Sequence, residues 1–176
     1  GELDPGVPVV LDPVMVSESG AQLLAPTARG ALLKLLLPRV TVLTPNLPEA
    51  RALLADSGEA PQPPDAGETD DAPALARALH ALGPAVVVVT GGHRREATDV
   101  FFDGAQVVEI PGERYPDGAA HGSGCTHSSV LAARLAWGDS PLEAARIAKQ
   151  RASQAVRDGL TGVGAGAGPV NILGVT

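Results

Sequence analysis

One stretch of the sequence combines glycines that allow a ligand to approach closely with a potentially reactive side chain. Gly122, Ser123, Gly124 and Cys125 precede a helical pattern that begins at Thr126. Glycine permits tight backbone turns, and the first N–H groups of a helix have no partners within the helix. These N–H groups and the helix dipole favour a bound anion and the thiolate form of a nearby cysteine. The stretch therefore indicates an anion-binding turn that carries a reactive thiol.

These residues also have an ordinary structural explanation. A single cysteine is usually a small buried apolar residue, and a Gly-Ser-Gly sequence is usually only a turn. The spacing alone leaves both interpretations open. The choice between them depends on whether other polar residues converge on the same place.

Asp12 is a second candidate because it directly follows a short apolar run at 7–11. Continuous apolar runs are typical of strands that are buried on both faces. Ligands of open α/β sheets bind outside the carboxyl ends of such strands. Asp12 is therefore placed for a ligand, although an aspartate before Pro13 can equally form a turn or a cap.

Asn46 and Glu49 follow another apolar run, at 40–44. Their spacing fits a capping box at the start of a helix, and it also fits a polar pair that orders a hydrated Mg²⁺. Mg²⁺ prefers carboxylates together with water and substrate phosphate. Spacing alone favours the cap and leaves the metal role as a hypothesis.

Thr90 ends the most apolar run, at 85–90, and Gly91 and Gly92 follow it. Paired glycines at the end of a strand allow a phosphate or nucleotide to approach the backbone closely. They serve equally well in a tight turn. His93, which comes next, is either a ligand contact or a turn residue.

The alternation of apolar runs with helical patterns predicts an α/β fold with a mostly parallel sheet flanked by helices. The helical patterns lie at 26–37, 49–55, 74–82, 126–137 and 140–157. Two short apolar runs, at 99–102 and 106–110, flank Asp103-Gly104 and predict an antiparallel hairpin at one edge of the sheet. The segment 57–73 is rich in proline and acidic residues and predicts a long surface loop. All the polar candidates then fall at one edge of the sheet, which favours a phosphate-handling site with a metal.

Length, charge and composition exclude several classes of protein. The 176 residues suit a single domain over 1–176, and the net charge of −7 without a basic block argues against a nucleic-acid partner. No apolar run approaches the roughly 18 residues of a membrane span, and the first residues do not resemble a signal peptide. A single cysteine excludes an internal disulfide and favours a reducing, cytoplasmic location. The four histidines are not spaced as zinc ligands.

Five motifs, in this order, resemble the hydroxymethylpyrimidine/phosphomethylpyrimidine kinases of thiamine biosynthesis, which belong to the ribokinase-like superfamily. The motifs are VLDPVM at 10–15, TPNLPEA at 44–50, TGGH at 90–93, HGSGCT at 121–126 and GPVN at 168–171. The similarity runs through nearly the whole chain and corresponds to roughly the C-terminal two-thirds of the family's fold. It implies a ribokinase-like fold without the family's N-terminal strands.

The resemblance also implies a reaction. ATP would phosphorylate the hydroxymethyl group of 4-amino-5-hydroxymethyl-2-methylpyrimidine and then the resulting monophosphate. Cys125 matches the position of the catalytic base, and Gly122, Ser123 and Gly124 match the anion hole for the transferring phosphoryl group. Relatives often dimerise, so a homodimer is an expectation.

The same resemblance implies ATP and Mg²⁺ as cofactors. Asp12 and Glu49 match positions near the metal, and Asn46 shares with Glu49 the family's motif for ordering Mg²⁺ and the phosphates. The expected ATP-binding residues are Asp12, Asn46, Glu49, Thr90, Gly91 and Gly92.

Two departures from the family pattern leave alternatives open. Many members carry lysine where Thr90 stands, and the loss of that cation would weaken phosphate binding or pass the role to another residue. The resemblance also implies that the given sequence lacks the family's first portion, with the opening strand and most pyrimidine contacts, so that a sheet edge is expected to be exposed. The alternatives are a pyridoxal or pyridoxamine kinase of the same superfamily and a non-catalytic nucleotide-binding remnant.

Overall fold

The sheet at the centre of the fold has five strands, arranged in the order in which they occur along the chain. The computed structural model describes residues 4, 6–15, 23–58, 71–93, 96–116, 118–163, 166 and 168–174. The strands are β1 (Val10–Leu11), β2 (Val42–Leu43), β3 (Val86–Val89), β4 (Asp99–Phe102) and β5 (Val107–Ile110). β1, β2 and β3 pair in parallel, whereas β4 pairs antiparallel with both β3 and β5. The predicted parallel strands and edge hairpin are confirmed, and the sheet as a whole is mixed.

Helices cover both faces of the sheet. They are α1 (Pro26–Ala31), α2 (Leu47–Ser57), α3 (Ala72–His80), α4 (Ser123–Ala136) and α5 (Pro141–Arg157). α1 continues into a π-helical turn (Leu32–Leu36) and a 3₁₀ turn (Leu37–Arg39), and another 3₁₀ turn (Gly91–His93) follows β3. Among the described residues, no helix has both the length and the apolar character needed to cross a lipid bilayer.

The side chains of β3 belong to two separate cores. Val87 and Val89 pack with α2, α3 and the turns after α1, whereas Val86 and Val88 pack with α4 and α5. Successive residues of a strand face opposite sides of the sheet. A strand of four buried valines is therefore covered on both faces, and the fold has three layers.

Two predicted helix boundaries were wrong in a way that affects the candidate site. The helix predicted at 49–55 begins at Leu47, and the helix predicted at 126–137 begins at Ser123. Asn46 and Gly122 occupy the N-cap positions of these helices. Residues that the sequence pattern assigned to loops are therefore part of the first helical turns.

For other elements, the observed boundaries differ less from the predicted ones or do not affect the candidate site. The helix predicted at 26–37 is regular only to Ala31, because Pro38 lacks an N–H and its ring disturbs the preceding turn. The helix predicted at 74–82 spans Ala72–His80. Of the loop predicted at 57–73, residues 59–70 lie outside the described residues.

Candidate functional site

The first turn of α4 forms one wall of the candidate site. Gly122, the N-cap residue, has φ +87°, a left-handed conformation that glycine adopts at little cost. Ser123, Gly124 and Cys125 are the first three residues of the helix, and the Cys125 side chain is exposed. Within the described residues, the backbone N–H groups of Gly124 and Cys125 have no hydrogen-bond acceptor. These two donors, together with the helix dipole, favour an anion at this position.

The segment 168–171 forms backbone hydrogen bonds with His121, the residue that precedes this turn. The His121 N–H donates to Gly168 O at 3.2 Å, and the Val170 N–H donates to His121 O at 3.0 Å. A Cβ added to Gly168 would lie 2.4 Å from Leu160 O, so the backbone approaches too closely for any other residue. The GPVN motif therefore has a structural role in fixing the glycine-rich turn.

Asp12 lies just after β1 and faces the first turn of α4. Its Oδ2 accepts a hydrogen bond from Ser128 Oγ at 3.2 Å. A Cβ added to Gly124 would lie 3.8 Å from the same oxygen, which places the carboxylate beside the turn. Burial raises the pKa of Asp12 above its ordinary value, and the Ser128 hydrogen bond and nearby His127 only partly offset this rise.

Asn46 and Glu49 form a capping box at the start of α2. The Glu49 N–H donates to Asn46 Oδ1 and the Asn46 N–H donates to Glu49 Oε2, both at 2.9 Å. The predicted cap is confirmed. Burial raises the pKa of Glu49, and the negative charge of Asp12 adds to the rise. Glu49 is therefore a buried carboxylate in a helix cap, and the described residues give it no lysine or arginine partner.

These residues line one open cleft of about 350 Å³. The strand ends contribute Asp12, Asn46, Glu49 and Thr90, and residues 122–125 face them from α4. Among the described residues, neither carboxylate forms an ion pair with lysine or arginine. The described part of the chain also contains no cluster of three or more metal-ligating side chains. Two carboxylates nevertheless suit Mg²⁺, which takes its remaining oxygen ligands from water and phosphate.

A second cavity, of about 200 Å³, adjoins the cleft. The two share Thr90, Ala120, Ser123 and Gly124, so they meet at the start of α4. The remaining wall mixes apolar and polar side chains from the segments before β4 and after β5 and from α4 and α5. These side chains include Ala97, Glu113, Tyr115, His127, Lys149, Ala152 and Val156. One extended ligand can therefore reach from the second cavity into the cleft.

The paired glycines after β3 have different surroundings. Gly91 is buried, and a Cβ added to it would lie 2.1 Å from Thr98 O, so this position has no room for a side chain. Gly92 is exposed and lines the second cavity. Gly91 therefore shapes the turn, and only Gly92 is open to a ligand. The side chain of His93 lies outside the part of the chain that the structure describes.

The sequence interpretation missed a buried charge network next to the second cavity. Asp99 contacts Lys149 and His127, and all three side chains are buried. The pattern of α5 contained a signal, because Lys149 shares the spacing of buried Ala145, Ala148 and Ala152 on one helix face. A lysine on an apolar helix face requires a partner charge.

Comparison with known proteins identifies relatives of the whole described fold. A family model described as phosphomethylpyrimidine kinase matches residues 3–171. The hydroxymethylpyrimidine/phosphomethylpyrimidine kinase of Mycobacterium tuberculosis is 39% identical over 174 residues, which cover 97% of this chain and 60% of that protein. The chain thus spans about 60% of the length of the curated relatives that it matches first.

Solved structures with the same fold include two kinds of vitamin kinase. The pyridoxal kinase of Staphylococcus aureus has a TM-score of 0.78 at 32% identity, covering 93% of this chain and 56% of that chain. The phosphomethylpyrimidine kinase of Clostridium difficile has a TM-score of 0.64 at 31% identity, covering 85% of this chain and 58% of that chain. The ribokinase-like fold expected from the motifs is confirmed.

Proposed function

Because this chain belongs to the phosphomethylpyrimidine kinase family, we propose that it acts in the ATP-dependent phosphorylation of 4-amino-5-hydroxymethyl-2-methylpyrimidine and of its monophosphate. The observation that carries the proposal is a single cleft lined by Asp12, Glu49 and the first turn of α4, whose Gly124 and Cys125 N–H groups have no acceptor among the described residues. Phosphoryl transfer depends mainly on positioning the reactants and on neutralising the charge of the phosphates. The backbone donors and the carboxylates of this cleft suit these two tasks.

The proposed ATP site extends from the second cavity into the cleft. The nucleoside would occupy the cavity beside Gly92 and Tyr115, with Thr90 at the passage into the cleft. The phosphates would then reach the start of α4. The pyridoxal kinase of S. aureus, which shares this fold, has been solved in complex with ADP, and this supports a nucleotide in a related place. In this assignment Gly91 contributes by shaping the turn.

The proposed anion hole consists of Gly122, Ser123 and Gly124. Gly122 sets the direction of the chain, and the Ser123 N–H donates to Ala120 O at 3.1 Å. The Gly124 N–H has no acceptor among the described residues and would supply a donor to this hole. Donors fixed before the reaction stabilise the charge that develops on a transferring phosphoryl group without reorganisation.

Cys125 is the proposed catalytic base. Its exposed thiolate, in the first turn of α4, would accept the proton of the substrate hydroxyl. The hydroxyl oxygen then forms a bond to the γ-phosphorus of ATP, the bond from that phosphorus to the bridging oxygen breaks, and ADP leaves. A role for Cys125 in positioning the hydroxyl, with later loss of the proton to phosphate, is the alternative.

Asp12 and Glu49 are the residues that would hold Mg²⁺, with Asn46 fixing Glu49 through the capping box. Both carboxylates have raised pKa values and no cationic partner among the described residues, and a bound cation would remove that cost. When bound, Mg²⁺ supplies positive charge that neutralises the phosphates of ATP.

Vitamin B6 is the second candidate substrate class, because the S. aureus pyridoxal kinase has a higher TM-score than the C. difficile phosphomethylpyrimidine kinase. The curated relatives favour the pyrimidine, since those named hydroxymethylpyrimidine/phosphomethylpyrimidine kinase reach 42% identity. A non-catalytic nucleotide-binding protein is the remaining alternative. The cleft's open backbone donors and its two carboxylates, which form no ion pair with lysine or arginine among the described residues, argue against it.

Mass spectrometry of reaction products tests the proposal. This chain, and any in-frame upstream extension of it, would be incubated with Mg²⁺–ATP and one substrate at a time: the pyrimidine alcohol, its monophosphate or pyridoxal. We expect phosphorylation of the two pyrimidines. Phosphorylation of pyridoxal alone would move the assignment to vitamin B6, and ATP binding without any product would favour the non-catalytic alternative.

A further inference from the structure

Asp99 is a buried carboxylate to which the proposed reaction gives no role. It begins β4, and its side chain is 1% exposed. Its Oδ1 accepts hydrogen bonds from Lys149 Nζ at 2.6 Å and from the Gly91 N–H at 2.7 Å. Its Oδ2 lies 3.4 Å from His127 Nε2, where the geometry does not make a hydrogen bond, so that contact is electrostatic.

The three partners of Asp99 come from three elements that surround the second cavity. Gly91 belongs to the 3₁₀ turn after β3, His127 lies one turn beyond the start of α4, and Lys149 lies in α5. His127 and Lys149 line the cavity, as does Gly92 beside Gly91. Asp99 therefore contacts all three elements at one buried point, in addition to the polar contacts that each makes elsewhere, such as Arg114 to Gly92 O and Ser128 to Asp12.

The arrangement is better suited to fixing geometry than to adding stability. Two buried charges lose their hydration, and this loss cancels much of their attraction. The Gly91 backbone is also held against Thr98 O, so Gly91 is confined from both sides. Burial opposes the charge on Asp99, but His127 and Lys149 outweigh that effect, and the pKa of Asp99 lies below its ordinary value. Asp99 thus remains an ionised acceptor at neutral pH.

We propose that Asp99 is a positioning residue that holds the Gly91 turn, α4 and α5 in one arrangement and so preforms the second cavity for a nucleotide. Lys149 then balances the charge of Asp99 and does not itself bind the phosphates. The inference rests on the proposed function in one respect, namely that the ligand of the second cavity is a nucleotide.

Two double variants of this chain separate the positioning role from a purely structural one. Asp99→Val with Lys149→Met removes both charges and the acceptor for the Gly91 N–H. Asp99→Asn with Lys149→Met also removes both charges but keeps a side-chain oxygen that can accept that N–H. The two double variants therefore differ in whether residue 99 offers an acceptor for the Gly91 N–H. Circular dichroism establishes that each variant is folded. If the valine variant does not fold, Asp99→Ala with Lys149→Met takes its place.

Calorimetric titration with Mg²⁺–ADP gives the first readout. We expect the asparagine variant to bind within about threefold of the parent and the valine variant to bind at least about tenfold more weakly, because its Gly91 turn is no longer held. Equal binding by the valine variant and the parent would overturn the proposal. Equal weakening of both variants would overturn it as well, since it would assign the effect to the lost charges of Asp99 and Lys149 and not to the acceptor that holds the Gly91 N–H.

Amide hydrogen exchange at Gly91 gives a second readout that needs no ligand. We expect exchange in the asparagine variant to match the parent and exchange in the valine variant to be at least about tenfold faster. Unchanged exchange in the valine variant would overturn the proposal. A parent chain that does not bind ADP would refute the nucleotide site of the proposed function, and the exchange result would still decide the role of Asp99.

Discussion

Two aspartates at the same edge of the sheet have opposite electrostatic surroundings. Asp12 follows β1 in the cleft, accepts one hydroxyl hydrogen bond and has a raised pKa, mainly because it is buried. Asp99 begins β4 beside the second cavity, contacts Lys149 and His127, and has a lowered pKa although it is more deeply buried. Burial alone therefore does not explain the difference, which depends on whether the protein supplies the opposite charge.

This contrast separates a site to which the described residues bring no lysine or arginine from one that is already neutralised. Asp12 and Glu49 raise each other's free energy as anions, which is tolerable if a cation and phosphates are the usual occupants. Asp99 has its cation built in and uses its oxygen to hold the backbone. On this account, changes in the cleft affect chemistry and metal binding, whereas changes around Asp99 affect stability and the shape of the cavity.

Cys125→Ala should show the largest effect and should affect chemistry alone. If Cys125 is the general base, turnover falls by about 10²–10⁴-fold, while Mg²⁺–ADP affinity stays close to that of the parent. Ser129→Ala, an exposed change on the same helix, serves as the matched control. Steady-state kinetics and calorimetry measure the two quantities, and unchanged turnover in the Cys125 variant would remove this residue from catalysis.

Asp99→Val should show the next largest effect, on stability. The change leaves the Lys149 ammonium buried without its counter-charge, and removing one partner of a buried pair costs about 3–5 kcal/mol of unfolding free energy. Addition of Lys149→Met should restore most of this loss. Urea denaturation measures both variants. Equal stability of the single and double variants would show that Asp99 and Lys149 are not coupled. The electrostatic difference between Asp99 and Asp12 would then be contradicted.

The substitution Glu49→Gln should have a smaller effect on the free energy of unfolding, and it should stabilise the protein. The raised pKa of Glu49 means that its ionised form costs stability at any pH above that pKa, so a neutral glutamine should stabilise the metal-free protein. Glutamine still completes the capping box. Thermal denaturation with and without Mg²⁺ measures the effect, and the stabilisation by Mg²⁺ seen in the parent should be lost. A full Mg²⁺ response in the variant would reduce Glu49 to a helix cap.

The smallest effect should be the change with pH in the stability that Asp99 contributes. Its folded-state pKa lies below the ordinary value of 3.8, so the stability it contributes is complete above pH 3.8 and is lost as pH falls through the lowered pKa. The stability difference between the parent and Asp99→Asn should therefore shrink only in strong acid. Denaturation curves between pH 2 and 6 test this, and a difference that shrinks near pH 5 would contradict the lowered pKa.

The parts of the fold that depend on local pattern could be predicted from the sequence. Four consecutive valines in β3 indicated a strand covered on both faces, Asp103-Gly104 indicated the hairpin, and the spacing of Asn46 and Glu49 indicated the capping box. Each of these features depends on residues within a few positions of one another. Local preferences and tertiary packing agree at these places, so the sequence pattern is sufficient to predict the structure there.

The remaining features depend on packing between distant segments. Asp99 and Lys149 are 50 residues apart, and their pairing follows from the way α5 lies on the sheet. The first turn of α4 begins earlier than its pattern suggests because residues 168–171 brace the turn before it. The candidate cleft was foreseen because strand ends converge in any parallel sheet, whereas the network behind the second cavity required the three-dimensional arrangement.

We expect nucleotide phosphates to meet the start of α4 with the help of a cation held by Asp12 and Glu49. Amide resonances of a ¹⁵N-labelled chain, titrated with a non-hydrolysable ATP analogue with and without Mg²⁺, test it directly. We predict that the Gly124 and Cys125 amides shift on titration in the presence of Mg²⁺, that Glu49→Gln weakens this response, and that the Gly104 amide in the distant hairpin does not move. Binding of the analogue that leaves the Gly124 and Cys125 amides unchanged would contradict the account.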